Sequence, residues 1–272
     1  MRRGAATAKL NLALVVGSRR DDGKHELLTV YQRLALADRI VVERADRLSV
    51  DGFASDTLVR RALVRLAEAA GPEHAFAAAI HKRVPVAAGL GGGSSDAATA
   101  LRLANELLAD PLPRRELHEL AAALGADVPY FLTEGPQLGS GDGTELEPLE
   151  LPQDYWVLLV LPNGAAKEST ANVYAAFDAR GGDRGFDERS RSLRETLSTV
   201  GRPRDLARLP PNDLTSSALA GELRALGAFR ADVTGAGPAV YGLFLHGSEA
   251  RAAQGKIAPK GQTWVTAPAW YG

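Results

Sequence analysis

Apolar positions alternate with smaller or polar ones over residues 8–16, so a strand there carries Leu10, Leu12, Leu14 and Val16 on one face and Lys9, Asn11, Ala13 and Val15 on the other. A period of two sets Lys9 and Asn11 on the same side, about 7 Å apart. Residues 18–23 are turn-rich and lead into a second strand over 25–36, with further short strands over 39–43 and 48–50. The period then lengthens. Asp56 is placed to cap a helix running to Ala70, with Leu58, Ala62, Leu66 and Ala69 on one face and Gly71-Pro72 ending it. After a strand over 75–82 and a glycine-rich stretch over 85–95, a helix starting near Ser94 carries Ala97, Leu101, Ala104 and Leu108 as one stripe. Pro113 opens another helix and Gly125 closes it, followed by Asp127-Val-Pro-Tyr-Phe-Leu.

Residues 135–152 are rich in Gly and Pro and lack helical periodicity, which puts a boundary near their end and divides the chain into domains 1–152 and 153–272. The second half opens with a strand over 155–161 and a helix capped by Ser169 and running to about Ala179. Residues 181–190 are polar and charged and read as a mobile loop. A helix starts at Asn212 or Asp213 and runs to Leu226, and strands over 230–234 and 239–245 flank Gly235-Ala-Gly-Pro238. Strands and helices mixed without a strict βαβ rhythm make this an α+β protein.

Composition narrows the chemistry. With 32 Lys plus Arg against 33 Asp plus Glu, no global field attracts nucleic acid or an anionic membrane, so an anionic ligand has to be held by a local site. The chain has no cysteine, which removes disulfides, thiolate metal sites and cysteine nucleophiles. No run approaches the roughly 20 apolar residues of a membrane helix. The reading is a cytoplasmic protein, with monomer and homodimer both left open.

The densest signal is Gly89-Leu-Gly-Gly-Gly-Ser-Ser-Asp96, with four glycines within five positions. Such a run is unfavourable in regular structure and suits a backbone that approaches a ligand closely. Its N–H groups, with the free donors at the start of the following helix, are suited to phosphate oxygens. Ser94 and Ser95 are positioned to cap that helix or to touch phosphate and metal. The segment lacks the lysine of G-x-x-x-x-G-K-[ST] and the third glycine of G-x-G-x-x-G, so neither of those loops fits. Gly235-Ala-Gly237 alone suits a strand-connecting turn as well as a ligand loop.

Pro85-Val-Ala-Ala-Gly-Leu-Gly-Gly-Gly-Ser-Ser-Asp-Ala-Ala98 resembles the ATP loop of the GHMP kinases. Ala8-Lys-Leu-Asn-Leu12 with Asp22-Gly-Lys-His-Glu-Leu27, Gly125-Ala-Asp-Val-Pro-Tyr-Phe131 and Thr234-Gly-Ala-Gly-Pro238 extend the resemblance over nearly the whole chain. They narrow it to the branch acting on cytidine diphosphate-linked methylerythritol. The resemblance implies a two-domain α+β fold with a left-handed βαβ unit, a ligand cleft between the domains, and ATP with Mg²⁺ as cofactors. It implies transfer of the ATP γ-phosphoryl group to the 2-hydroxyl of the methylerythritol moiety. The neighbouring possibilities are another GHMP kinase, acting on mevalonate, phosphomevalonate or homoserine, and a catalytically silent ligand-binding protein on the same fold.

By the same resemblance Asp127 is the base and Lys9 neighbours the accepting hydroxyl. Pro85, Val86, Ala87, Ala88, Gly89, Leu90, Gly91, Gly92, Gly93, Ser94 and Ser95 form the nucleotide loop, with Thr57 near the adenine and Ser95 as the metal candidate. Asn11, Lys24, His25, Thr170 and Tyr174 fall to the substrate, with His25 reading the cytosine. Phosphoryl transfer needs positioning, charge neutralisation and a group to take the hydroxyl proton, which suits Lys9 and Asp127 independently. His25 also suits a half-buried strand histidine, and Tyr174 suits core packing as well as a place near the base. Two positions depart from the family pattern: Lys24 stands where a base-stacking tyrosine is usual, and Thr57 where asparagine is usual.

Overall fold

The computed structural model describes residues 1–54, 58–71, 74–165 and 169–269. The chain opens with two long strands, β1 (Arg2–Arg19) and β2 (His25–Arg44), followed by β3 (Ser49–Asp51), α1 (Leu58–Ala70), β4 (Phe76–His81), α2 (Gly92–Asn105) and α3 (Arg114–Ala122). A short 3₁₀ helix over Pro129–Leu132 precedes β5 (Gln137–Ser140) and β6 (Glu145–Pro148). Then come β7 (Trp156–Pro162), α4 (Thr170–Ala179), α5 (Phe186–Leu197), α6 (Ala218–Ala225), β8 (Arg230–Val233), β9 (Val240–Phe244), α7 (Gly247–Ile257) and β10 (Gly261–Thr266). The α+β class expected from the sequence holds.

Two compact units interleave along the chain: Met1–Ala8, Leu36–Val86 and Gly91–Glu134 form one, and Lys9–Ala35, Ala87–Leu90 and Gly135–Gly272 the other. In the first unit β4 runs antiparallel to the far half of β2, with Ile40 opposite Ile80, and parallel to β3. Helices α1 and α2 pack on each other, burying Val59, Ala62, Leu63 and Leu66 of α1 and nearly every side chain of α2 from Ser95 onward. Of the expected α1 stripe Ala62 and Leu66 are buried, while Leu58 and Ala69 are replaced by Val59 and Leu63. Val59 and Leu63 are buried and Ala69 is exposed, because the buried face is centred between Ala62 and Leu63.

In the second unit β5 pairs with the near half of β2 and with β6. A four-stranded antiparallel sheet runs in the order β10-β7-β9-β8. Its register puts Leu158, Val160, Ala231, Val233 and Val240 on one face, where they meet Ala220 and Leu223 of α6 and Ala250, Ala253 and Ile257 of α7. The opposite face carries Leu159, Tyr241, Asp232 and Arg230.

Arg230 is 6% exposed, and all five of its guanidinium donors are engaged. Nε donates to the Tyr241 hydroxyl at 3.1 Å, Nη1 to the carbonyls of Leu206 (3.2 Å) and Leu209 (2.6 Å), and Nη2 to those of Leu12 (2.5 Å) and Pro210 (2.8 Å). One side chain thus joins β1, β8, β9 and the 3₁₀ segment Pro203–Arg208 with the residues after it.

Other sequence expectations need correction. Residues 39–43 are not a separate strand but the far end of β2, since nothing in Ala37-Asp38 breaks an extended chain. Helix α2 begins at Gly92, not near Ser94, with Gly91 as its cap at φ 69°. The loop expected over 181–190 gives way at Phe186 to α5, because Phe186 lies against Gly17, where a Cβ would come within 2.9 Å of its ring. Asn212 and Asp213 start no helix. Asn212 Nδ2 donates to the carbonyls of Val233 (3.2 Å) and Gly235 (2.7 Å), and Asp213 Oδ2 accepts from the Val16 amide at 2.9 Å. The helix waits for Ser217, whose hydroxyl accepts from Leu219 N. The Ser169 cap is present, accepting from Asn172 N. Asp56 and Thr57 lie outside the described residues.

Replacing Arg230 by Met should destabilise the fold by about 3–5 kcal/mol, since buried carbonyls and Asp232 lose their shared donor. Lysine should recover only part of this, having three donors in place of a planar fork of five. Urea unfolding measures both, and a wild-type midpoint in the Met variant would show that the carbonyl cluster is satisfied without the guanidinium.

Candidate active site

Strand β1 runs through the second unit with Lys9 and Asn11 both buried, 3% and 5% exposed. They do share a face: Lys9 Nζ donates to Asn11 Oδ1 at 2.6 Å. Asn11 is itself held, its amide N–H by the Thr234 hydroxyl (3.0 Å) and its Nδ2 by the Thr29 hydroxyl (2.8 Å), which in turn donates a hydrogen bond to the Ala13 carbonyl (2.8 Å). The ammonium of Lys9 also lies 5.7 Å from the Tyr31 ring centroid, within cation–π range. A long flexible lysine is thereby reduced to one direction.

The glycine-rich turn meets this strand. Lys9 N donates to the Leu90 carbonyl at 2.9 Å. Ala87, Gly89 and Gly91 have φ of 59°, 84° and 69°, while Ala88 and Leu90 between them do not have positive φ. Positive φ at every second residue takes the backbone out of any regular strand or helix, and left-handed residues of this kind are one half of the alternation an anion nest requires. Ala87 is the one non-glycine at positive φ among the described residues. Such a conformation persists where the surroundings enforce it.

Part of that enforcement comes from the Thr234–Pro238 turn, which links β8 to β9. Gly237 packs backbone to backbone on Gly89: a Cβ on Gly237 would lie 2.4 Å from Gly89 Cα, and one on Gly89 would lie 2.5 Å from the Thr234 carbonyl oxygen. Ala239 N donates to the Ala88 carbonyl at 3.2 Å. Gly235 leaves room on the other side, where a Cβ would be 3.2 Å from Asn11 Oδ1 and 3.5 Å from Lys9 Nζ. The turn connects strands and also presses on the glycine-rich turn.

In the first unit Gly91 hands the chain to α2, whose first turn carries Gly92, Gly93, Ser94 and Ser95. Ser95 is 1% exposed, and its Oγ has no hydrogen-bond partner among the described residues. The next residue, Asp96, is equally buried, and burial pushes its carboxyl up to about 7 against the opposing pull of Lys82. Asp127 is half-buried in the turn between α3 and the 3₁₀ helix, a turn closed by Val128 N to Gly125 O at 3.0 Å.

His25 starts β2 and is 6% exposed. Its Nε2 lies 2.7 Å from Asp178 Oδ1, its ring stacks on Tyr174 at 4.7 Å between centroids, and Phe177 meets it edge-on at 6.1 Å. Tyr174 therefore touches the histidine and also packs against the cluster of Leu14, Val16, Leu27, Val173 and Phe177. Lys24 is exposed and pairs with Asp142, whose other oxygen accepts from the Thr144 hydroxyl at 2.6 Å. Burial opposes ionisation of Asp142, but the bonds from Lys24 and Thr144 outweigh it and hold the carboxyl below its usual range. Thr170, first residue of α4, is exposed. Thr57 lies outside the described residues.

The second unit thus brings together Lys9, Asn11, residues 87–90 and Thr234–Gly237, and gathers His25, Tyr174 and Lys24 around the start of β2. Asp127 and Gly91–Ser95 belong to the first unit. Sequence reasoning missed Asp178, Asp142, Thr29 and the role of Thr234. Asp178 had a signal, because it follows Tyr174 by four residues and so shares its helix face. Asp142 had none, being joined to Lys24 across 118 positions.

Residues 57–135 match the family model described as GHMP kinases N terminal domain. A 4-diphosphocytidyl-2-C-methyl-D-erythritol kinase of Mycolicibacterium gilvum (strain PYR-GCK) is 40% identical over 253 residues, spanning 85% of this chain and 78% of that protein. A crystal structure of 4-(cytidine 5'-diphospho)-2C-methyl-D-erythritol kinase aligns with a TM-score of 0.80 at 32% identity, over 99% of this chain and 100% of that one. A mevalonate kinase crystal structure reaches a TM-score of 0.76 over 98% and 99%, but at 13% identity it is a likeness of fold alone.

A Gly237→Ala variant should stay folded yet bind ADP at least about tenfold more weakly, since its Cβ displaces the Gly89 backbone by a sizeable part of an ångström. Calorimetry with ADP, beside a circular dichroism spectrum, tests this. Wild-type ADP affinity would mean that the contact between the two turns does not shape the anion nest.

Proposed function

The chain belongs to the 4-diphosphocytidyl-2-C-methyl-D-erythritol kinases of the GHMP family, and from that premise we propose how its residues divide the work. The reaction moves the γ-phosphoryl group of ATP to the 2-hydroxyl of the diphosphocytidyl alcohol, leaving ADP and the 2-phosphate, a step of non-mevalonate isoprenoid precursor synthesis. Phosphoryl transfer demands little covalent chemistry of the protein. Its tasks are alignment, stabilisation of charge on the transferred group, and removal of one proton.

What supports the assignment most is the meeting of Lys9, Asn11, residues 87–90 and Thr234–Gly237 within one unit. In our reading the alternating backbone of residues 87–91 and the first turn of α2 receive the nucleotide phosphates. Lys9, aimed by Asn11, stands by the accepting hydroxyl, and Asp127 takes the hydroxyl proton. His25 reads the cytosine from a position locked by Asp178 and Tyr174. Lys24, whose ammonium is already paired with Asp142, borders the base rather than the diphosphate.

Mg²⁺ is the metal we assign, and when bound it neutralises charge on the β- and γ-phosphate oxygens. The partnerless, buried Ser95 Oγ is a hard oxygen donor that fits it, and the nucleotide phosphates supply the usual remaining ligands.

A coupled ADP-release assay tests the substrate. Turnover should be high with the diphosphocytidyl alcohol and poor with mevalonate or homoserine, and equal turnover of either would overturn the substrate assignment. Asp127→Asn should lower turnover by roughly 10²- to 10⁴-fold while changing substrate affinity little. A variant keeping more than about half its turnover would remove Asp127 as the base. Lys24→Tyr should tighten binding of CDP, since a well-formed aromatic contact on a base is worth about 1–3 kcal/mol. The exposed ion pair it sacrifices is worth at most about 1 kcal/mol. Calorimetry decides this, and weaker CDP binding with a flattened salt dependence would show that Lys24 serves the diphosphate instead.

A further inference from the structure

One buried ion cluster takes no part in the chemistry above. Asp38, on β2, has a fully buried side chain. One of its oxygens accepts from the backbone amides of Arg83 and Val84, the latter at 2.8 Å, and the other receives the Lys82 ammonium. The same ammonium donates to Asp96 Oδ2 at 2.7 Å and lies 5.8 Å from the Phe53 ring centroid. Lys82 also stands beside the first residue of α2, where a Cβ on Gly92 would be 3.4 Å from Nζ and 3.2 Å from Val84 Cγ1.

These three side chains grip both ends of the glycine-rich turn. Lys82, Arg83 and Val84 are the residues by which the chain enters it, and Asp96 sits in the second turn of the helix by which the chain leaves. Between them residues 85–93 are mostly glycine and alanine, with few side chains to fix their path. Two carboxylates buried against one ammonium add little stability over apolar residues of the same shape. What such a cluster supplies is direction, because the ammonium is aimed at Asp38 Oδ2 and Asp96 Oδ2 while Asp38 Oδ1 is fixed by two backbone amides.

We propose that Asp38, Lys82 and Asp96 form a brace that sets the spacing between the two flanks of the phosphate-binding turn, with Lys82 as a positioning residue for ATP. This rests on the reading that residues 87–95 receive the nucleotide phosphates. The ammonium acts through the turn, since its donors are directed to the two carboxylates.

The test uses Lys82→Met and the double variant Lys82→Met/Asp96→Leu, which removes the carboxylate left uncompensated in the single one. The double variant should recover thermal stability lost in the single variant. In both, KM for ATP and Kd for ADP should rise at least about tenfold, as expected for a turn misplaced by an ångström or less. The Kd for CDP, which does not use the turn, should stay at the wild-type value. A double variant with a wild-type thermal midpoint and wild-type ADP affinity would overturn the proposal, making the cluster a feature of folding alone. Parallel weakening of ADP and CDP, following the thermal midpoint, would overturn it as well. Because ADP binding is read by calorimetry, a wild-type protein that binds ADP but spares the diphosphocytidyl alcohol would sink the substrate assignment and leave the brace to be judged on ADP affinity.

Discussion

Two peptide backbones meet at Gly89 and Gly237 with no side chain between them, and the geometry of the candidate site hangs on that contact. A single Cβ on either residue would enter the other's main chain. The closeness allows Ala239 N to reach the Ala88 carbonyl, and with Lys9 N on the Leu90 carbonyl it makes the glycine-rich turn, β1 and the β8–β9 turn one piece. The left-handed φ at Ala87 belongs to the same constraint. An alanine does not hold that conformation by preference, so neighbours on both sides of the turn have to impose it.

Around this contact, several buried polar side chains hold one another in direction. Lys9 points to Asn11, Asn11 to Thr29 and Thr234, and Thr29 to the Ala13 carbonyl, so a row of short side chains aims one ammonium. At the start of β2 the histidine is held in the same manner, by a carboxylate at its edge and an aromatic ring on its face. Asn212 supports the β8–β9 turn from beneath through Gly235. In a chain with nearly balanced charge the proposed anion site rests on such local arrangement, since no net field would attract the ligand.

Much of this was legible in the sequence wherever the signal was local. The period of two in β1 placed Lys9 and Asn11 together, Ser169 announced α4, and the glycine run announced the turn and the helix after it. What failed was decided at long range. Asn212 and Asp213 have the side chains of helix caps, yet Asn212 Nδ2 and Asp213 Oδ2 are engaged by residues more than 20 positions away, and Asn212 Oδ1, which accepts from Leu214 N at 2.8 Å, closes a turn that no helix follows directly. The polar run that became α5 contains one aromatic, Phe186, whose place against Gly17 depends on a residue 169 positions earlier in the chain. Asp142 and Arg230 carried no local mark of their roles, since Lys24, with which Asp142 pairs, and the carbonyls of Leu12, Leu206 and Leu209, which Arg230 gathers, are remote in sequence.

The Arg230 cluster also bears on the order in which the protein can be completed. Leu12, one residue beyond Asn11, gives its carbonyl to a guanidinium 218 positions later and to a hydroxyl 229 positions later. At about 5–20 residues per second, a ribosome needs roughly 10–40 s to synthesise the chain between Leu12 and Arg230. Until then the segment bearing Lys9 and Asn11 lacks its C-terminal anchor, and Thr234, which holds Asn11, does not yet exist. The first motif of the site to be translated is therefore among the last to be set, and a chain cut short before residue 230 would carry the early lysine and Asn11 without the Arg230 and Thr234 anchors that fix their strand.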